Sequence, residues 1–411
     1  MTPATGNRAG AWPLIIAAAA ILAITMGSRQ SMGLFIAPLI DATGVSLVSI
    51  SFALAVAQFV WGVAQPLCGM LADVFGAVRV LVGGCLLLAL GLALTPFAHG
   101  EWGLLMTLGV ISALGSGAAS FSILIGVVSQ RLQSAQRSVA AGVINAGGSF
   151  GQFVFAPLSQ FIIAGAGWVT ALLVLSGAAL AAIPIAALFR QGAATSHAAG
   201  AAGNAGAGQA PSLSDGIAAA FRDPSYIYLH LGFFTCGFHI AFLVTHLPGE
   251  VALCGLPPTV ASTSLALIGL FNIAGSLTAG ALGQRFRMKY LLFWIYAGRA
   301  AVIGLYLLAP KTAWTMYITA AALGFSWLAT VPPTAGLVGK LFGTRYLATL
   351  FGMTLLSHQI GGFLGAWLGG LVFARDGNFD TMFYADIVLA LAAAFINLPI
   401  RETRVLRPVA A

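Results

Sequence analysis

The chain has 411 residues, of which 59% are hydrophobic and only 7% are Asp, Glu, Lys or Arg, against about 25% charged in soluble domains. A chain this apolar cannot stay folded and dissolved in water, which excludes a soluble domain and points to an all-α membrane protein. The net charge of +8 does not call for nucleic acid, because the basic residues sort between the spans as bilayer topology requires.

Apolar runs place twelve transmembrane helices. The first, 12–40, carries Arg29 a little past its midpoint. A guanidinium there costs about 2.5–3.5 kcal/mol on insertion scales, so it should face the protein or a wet cavity. Arg29 is therefore the first candidate to bind or gate an anion, against a purely structural role. The second span, 46–71, sets Gln58, Trp61 and Gln65 on one helical face. Spans three (78–98) and four (103–129) follow. The fifth, 138–164, aligns Asn145, Ser149 and Gln152. Each stripe either lines a cavity or makes interhelical hydrogen bonds worth about 0.6 kcal/mol apiece. The sixth span is 169–189, and no acidic residue lies within the first six.

Composition then changes. Residues 190–224 read as a cytoplasmic linker, with a flexible Ala/Gly-rich tract from His197 to Pro211 and a short amphipathic piece from Ser212 to Phe221. Spans seven to twelve are 225–248, 259–283, 290–309, 313–339, 346–373 and 381–399. Span seven carries His239 and span eleven His358, the latter followed by Gly361, Gly362 and Gly365. Imidazole titrates near neutrality, so each histidine is either a proton relay or a packing residue. Asn272 and Ser276 stand one turn apart on span eight. Arg299 in span nine and Asp386 in span twelve, the one acidic residue within a span, are expected to pair, since either alone is costly. The alternative makes Arg299 a second substrate cation. Phe325 and Trp327 in span ten either wall a small substrate or fill core.

The layout is a six-helix half at 1–189, the linker at 190–224 and a second half at 225–411. Of the eighteen Lys and Arg residues, Arg29 and Arg299 lie in spans. With both termini inside, Lys311 and Arg375 fall outside and the other fourteen are cytoplasmic, a strong positive-inside bias. The first apolar run continues into a full span, so no cleavable signal is expected. A bacterial cytoplasmic membrane is the expected location. The histidines show no catalytic or metal-binding spacing and the four cysteines no redox spacing. No enzyme, metal or cofactor is expected, and no disulfide.

The halves share a faint repeat. Gly69-Met-Leu-Ala-Asp73-Val-Phe75-Gly76 recurs 211 residues later as Gly280-Ala-Leu-Gly-Gln284-Arg-Phe286-Arg287. Gly69, Asp73, Gly76 and Arg79 resemble the signature loop of the major facilitator superfamily, with Val74 and Val78 at two of its basic positions. That resemblance implies the two-half fold and a gate-side role for this loop on the cytoplasmic face. It also places spans three, six, nine and twelve at the periphery. Ser28-Arg29-Gln30-Ser31-Met32-Gly33-Leu34-Phe35 is similar to the first span of the monocarboxylate transporters and the bacterial oxalate–formate exchangers. The string from Cys236 to Pro248 is similar to a bacterial branch of that group. Where those relatives carry an arginine in span eight, this chain has Ser276.

The expected function is secondary transport of small organic anions, monocarboxylates foremost, by a monomer with alternating access. No Walker A motif is present, so proton symport or anion exchange is the expected drive. The substrate-side candidates are Arg29, Gln58, Asn145, Gln152, His239, Asn272, Ser276 and His358. A proton-driven drug or metabolite exporter is the alternative, weakened by the lack of a carboxylate in the first six spans. A non-transporting receptor is the third.

Overall fold

A bilayer offers no hydrogen bonds to a backbone, so each crossing segment must satisfy its own, as helices do. The computed structural model describes residues 8–129, 134–190, 213–343 and 346–402, and its regular structure there is entirely helical. The expected tract from His197 to Pro211 lies outside the described residues. The chain divides into two compact units, Met1–Ala205 and Gly206–Ala411.

In the first unit, α1 (Arg8–Gln30) ends inside the first span and a 3-10 turn (Met32–Phe35) leads into α2 (Ile36–Thr43). The continuous helix expected through Arg29 is thus corrected to a broken one. α3 (Leu47–Phe75) is capped by the Ser46 side chain, which accepts from Ser49 N at 3.2 Å, and ends at Gly76 with φ 89°. Residues other than glycine rarely take that φ. α4 (Ala77–Leu94) follows. The fourth span is assembled from α5 (Gly100–Leu104), a π-helical stretch (Leu105–Ile111), α6 (Ser112–Ala118) and α7 (Phe121–Ser129). α8 (Ser134–Ala187) breaks at Gly167, where φ is 85°.

In the second unit, α9 (Leu213–Phe221) is short and α10 (Pro224–Leu253) starts with Asp223 capping Ser225 N at 2.7 Å. α11 (Pro258–Leu282), α12 (Met288–Leu308), α13 (Ala313–Ser326), α14 (Val331–Phe342), α15 (Leu347–Asp376) and α16 (Asp380–Asn397) complete it. Span ten is therefore broken between α13 and α14.

Among the described residues, eleven helical segments are long and apolar enough to cross a membrane. One of them, Ala140–Ala187, has 48 residues, about 72 Å of helix against a hydrocarbon core of about 30 Å. Its break at Gly167 makes it two crossings, so the total is twelve.

Both units pair their spans alike: first with fifth (α1·α8 and α10·α15), second with fourth (α3·α6 and α11·α13), and third with sixth (α4·α8 and α12·α16). Small residues set the first pairing. A β-carbon on Gly147 or Gly151 would collide with the backbone of Ala19 or Ala23, and one on Gly237, Gly361 or Gly365 with His358, Phe234 or Phe238. Such close approach is how helices gain packing energy in lipid. Span four, opened by its π turn and by Ala119–Ser120, corresponds to broken span ten, so this break follows the repeat, whereas the break in span one has no counterpart in the continuous α10.

Candidate substrate site

In the first unit, the seam against α8 fixes α1, and the break in span one fixes where Arg29 ends up. Ser28 and Ser31 donate back to the carbonyls of Ile24 and Gly27, both at 2.8 Å. Such back-bonding bends helices, and α1 stops at Gln30. Arg29 stands in its last turn, partly buried. Its Nη2 donates to Gln58 Oε1, and its guanidinium carbon lies 4.1 Å from the centre of the Trp61 ring. The stripe expected on span two therefore does converge on Arg29. Its third member, Gln65, accepts from Ser122 Oγ at 3.4 Å instead.

No carboxylate stands within ion-pair distance of Arg29 among the described residues. The first six spans are less empty of acid than expected. Asp41 lies near the end of α2 and Glu101 in the first turn of α5, where it accepts from Ser49 Oγ at 2.6 Å. Both are exposed. On α8, Gln152 is 1% exposed and its amide nitrogen has no hydrogen-bond partner, while Asn145 is partly buried. A buried orphan donor asks for a water or a ligand.

The loop Gly69–Arg79 keeps to the helix ends. Asp73 stands in the last turn of α3, Gly69 has open space where a β-carbon would be, and Arg79 Nη1 donates to Phe75 O at 3.3 Å.

In the second unit the expected Arg299–Asp386 pair is absent. Asp386 bonds instead to His239 Nδ1 through Oδ2, tying α16 to α10. Arg299 donates to the carbonyls of Ser326 at 2.7 Å and Trp327 at 3.2 Å. The reason is the broken span. The last carbonyls of α13 lack helical partners, and a cation at a helix C-terminus satisfies them and complements the dipole. Asn272 serves the same break, its Oδ1 accepting from Leu328 N at 3.0 Å and from Ser276 Oγ at 3.2 Å. Trp327 is fully buried, edge-on to the His239 ring at 5.6 Å, whereas Phe325 is 44% exposed. His358 lies 5.0 Å from the Phe233 ring, with Nδ1 3.3 Å from Gln359 Nε2.

Asp386 is also not the one acidic residue within a span. α10 runs on to Leu253 and takes in Glu250, 7% exposed, which accepts from the Tyr306 hydroxyl. Lys311 covers that tyrosine, its Nζ 3.5 Å from the ring centre. The signal was present: apolar Val251, Ala252 and Leu253 follow Glu250. Among the described residues, no cluster of His, Cys, Asp and Glu is arranged to hold a metal.

Two six-span units with one pairing scheme, a break in the fourth span of each and an arginine inside each define a membrane transporter of the repeated-half kind. The sequence profile of the Major Facilitator Superfamily matches residues 18–366, and the chain belongs to that family. Monocarboxylate transporter 13 of Rattus norvegicus is 26% identical over 394 residues, covering 94% of this chain and 89% of its own. An uncharacterized MFS-type transporter of Bacillus subtilis, YcxA, is 24% identical over 394 residues, covering 92% of each chain. In fold, the chain is similar to a D-xylose–proton symporter, with a TM-score of 0.74 at 13% identity, covering 95% of this chain and 98% of that one. A bacterial homologue of the human lysosomal transporter Spinster, inward-facing and unoccupied, gives 0.72 at 14% identity, covering 95% and 97%.

Proposed function

We propose that this transporter is a secondary carrier of small organic anions, monocarboxylates foremost, working by alternating access of its two units with proton symport or anion exchange as the drive. The observation that carries the reading is Arg29. It is an intramembrane guanidinium whose partners are a neutral amide and an indole, with no carboxylate within ion-pair distance among the described residues. A carboxylate substrate supplies the missing charge, and a guanidinium holds it through two parallel hydrogen bonds. Gln58 and Trp61 position the guanidinium, and Gln152 offers a free amide donor in the same unit. The name of the rat relative supports the same substrate class. In this reading Asp73, Gly76 and Arg79 belong to the gate, the protein is a monomer of a bacterial inner membrane, and both termini and residues 190–224 face the cytoplasm.

Counterflow in proteoliposomes tests it: vesicles loaded with unlabelled lactate, pyruvate, acetate, formate or oxalate, diluted into the same labelled acid. Transient accumulation of at least one acid is expected with wild-type protein, with a sharp loss in Arg29→Gln. A carrier that exchanges none of the five, or an Arg29→Gln variant indistinguishable from wild type, removes the reading. The same vesicles separate a carrier from a receptor, since binding without turnover gives no counterflow. Orientation is tested with a single cysteine at Ala199, which should resist an impermeant thiol reagent in intact cells.

A further inference from the structure

Three ionisable side chains from three helices of the second unit are fully buried, His239 of α10, Arg299 of α12 and Asp386 of α16, each 0% exposed. His239 and Asp386 are hydrogen-bonded, and Arg299 reaches them through Trp327, whose carbonyl it holds and whose ring stands edge-on to His239. All three lie well inside their helices, away from both ends. The charges of Arg299 and Asp386 cancel, and a neutral His239 adds none. An ionised carboxylate only accepts hydrogen bonds, so the bond to Asp386 puts a proton on His239 Nδ1 and leaves Nε2 as a bare lone pair. That Nε2 has no hydrogen-bond partner, and neither have Asp386 Oδ1, Arg299 Nε and Nη1 or Trp327 Nε1. Buried polar atoms are nearly always satisfied. The carbonyls of broken span ten account for only one of the three guanidinium nitrogens. A cluster that merely held helices together would not leave so much hydrogen-bonding capacity idle.

The charged groups acting on His239 are Asp386 and Arg299. Of the other titratable groups on the surrounding elements, those nearest in sequence are Cys236 on α10, Tyr296 on α12 and Tyr384 on α16, the last 61% exposed, with His358 on α15. Tyr226 and Tyr228 on α10, Lys289, Tyr290 and Tyr306 on α12, Arg375 and Asp376 on α15 and Asp380 on α16 lie toward the helix ends. α11 has none, and Tyr317 and Lys340 stand at the ends of α13 and α14 remote from the break. His230, His246 and Glu250 lie about two turns or more along α10.

We infer that His239, Asp386 and Arg299 form a proton-binding site in the second unit, with His239 Nε2 as the atom that takes the proton. What the bound proton does rests on the carrier reading: it is the coupling ion that accompanies a carboxylate. Hydronium on the open side loses a proton to Nε2, an O–H bond breaking as an N–H bond forms. Asp386 steadies the imidazolium through Nδ1–H, and release to water on the other side reverses the step. One proton cancels one carboxylate charge, so the pair crosses without net charge.

The site is tested by histidine ¹⁵N NMR of the full chain in liposomes between about pH 5 and pH 8. The His239 signal is assigned by its loss in His239→Gln, or in a variant that keeps His239 as its sole histidine if that one does not fold. Nε2 is expected to pass from lone pair to N–H within this window, with a midpoint displaced by about one pH unit or more in Asp386→Asn. A His239 that holds one protonation state throughout overturns the proposal. In vesicles taking up labelled lactate, the alkalinisation of the medium per lactate should fall at least tenfold in His239→Gln, and an unchanged ratio overturns it as well. Failure of the carrier reading looks different: wild-type vesicles move no carboxylate while His239 still titrates, which keeps the site and removes its coupling role.

Discussion

The two units share a helix-pairing scheme and a glycine-lined seam, yet they treat their intramembrane arginine in opposite ways. Arg29 is partly buried, sits at a helix break, and among the described residues meets an amide and an indole but no carboxylate. Arg299 is fully buried, feeds the carbonyls of another break, and stands in a cluster that contains its own counter-charge. A charge balanced within its unit needs no anion from outside. One left unbalanced in a low-dielectric setting is relieved by an arriving anion. The architecture is repeated and the chemistry is not, so the halves are suited to different tasks.

The largest effect that separates them is on stability. Asp386→Ala removes the negative member of the second cluster and strands its cation, a loss of about 3–5 kcal/mol. A thermal melt of the purified protein should show it. The double variant Arg299→Met/Asp386→Leu should be more stable than the Asp386→Ala single, because neutrality is restored. If it is no better, the two charges are independent and the comparison breaks.

Arg29→Gln is expected to show the reverse profile. Carboxylate affinity should fall by about 1.5–3 kcal/mol, roughly ten- to a hundredfold, while the melting temperature stays near wild type. Arg29→Lys should retain part of the affinity, since the charge persists without the two-pronged geometry. A large loss of stability in Arg29→Gln would make the first arginine as structural as the second.

The shared scaffold predicts matched responses. Gly151→Ala in the first seam and Gly361→Ala in the second should each cost about 1–3 kcal/mol by overpacking, because both glycines face backbone at closer than contact distance. Unequal losses would mean that only one seam is tight. The smallest expected effect is at Trp61→Leu, which removes the ring beneath the Arg29 guanidinium. It should weaken carboxylate binding indirectly, by about 0.5–1 kcal/mol, measured as a shift in half-saturation with protein yield unchanged.

Much of this was legible in the chain. Twelve apolar runs, the intramembrane position of Arg29, the Gln58–Trp61 stripe and the repeat after spans two and eight are properties of local segments. Local hydropathy and helical periodicity report them directly. The break in span ten also had a signal, Pro332–Pro333, since proline suits the first turn of a new helix. The expected Arg299–Asp386 pair failed for a reason that no local pattern carries: the break exposes carbonyls that compete for the guanidinium, and His239 then takes the carboxylate.

The sequence by itself determined the membrane class, the number of crossings and which few polar residues must face protein. Each follows from the transfer cost of a single segment into lipid. Only the tertiary structure decided who meets whom. Arg29 found Gln58 and Trp61, Asp386 found His239 across 147 residues, and Glu250 found Tyr306. Burial obliges a polar group to find a partner, but the choice among partners depends on how closely the helices approach, and that is set by the small-residue seams between spans far apart in the chain.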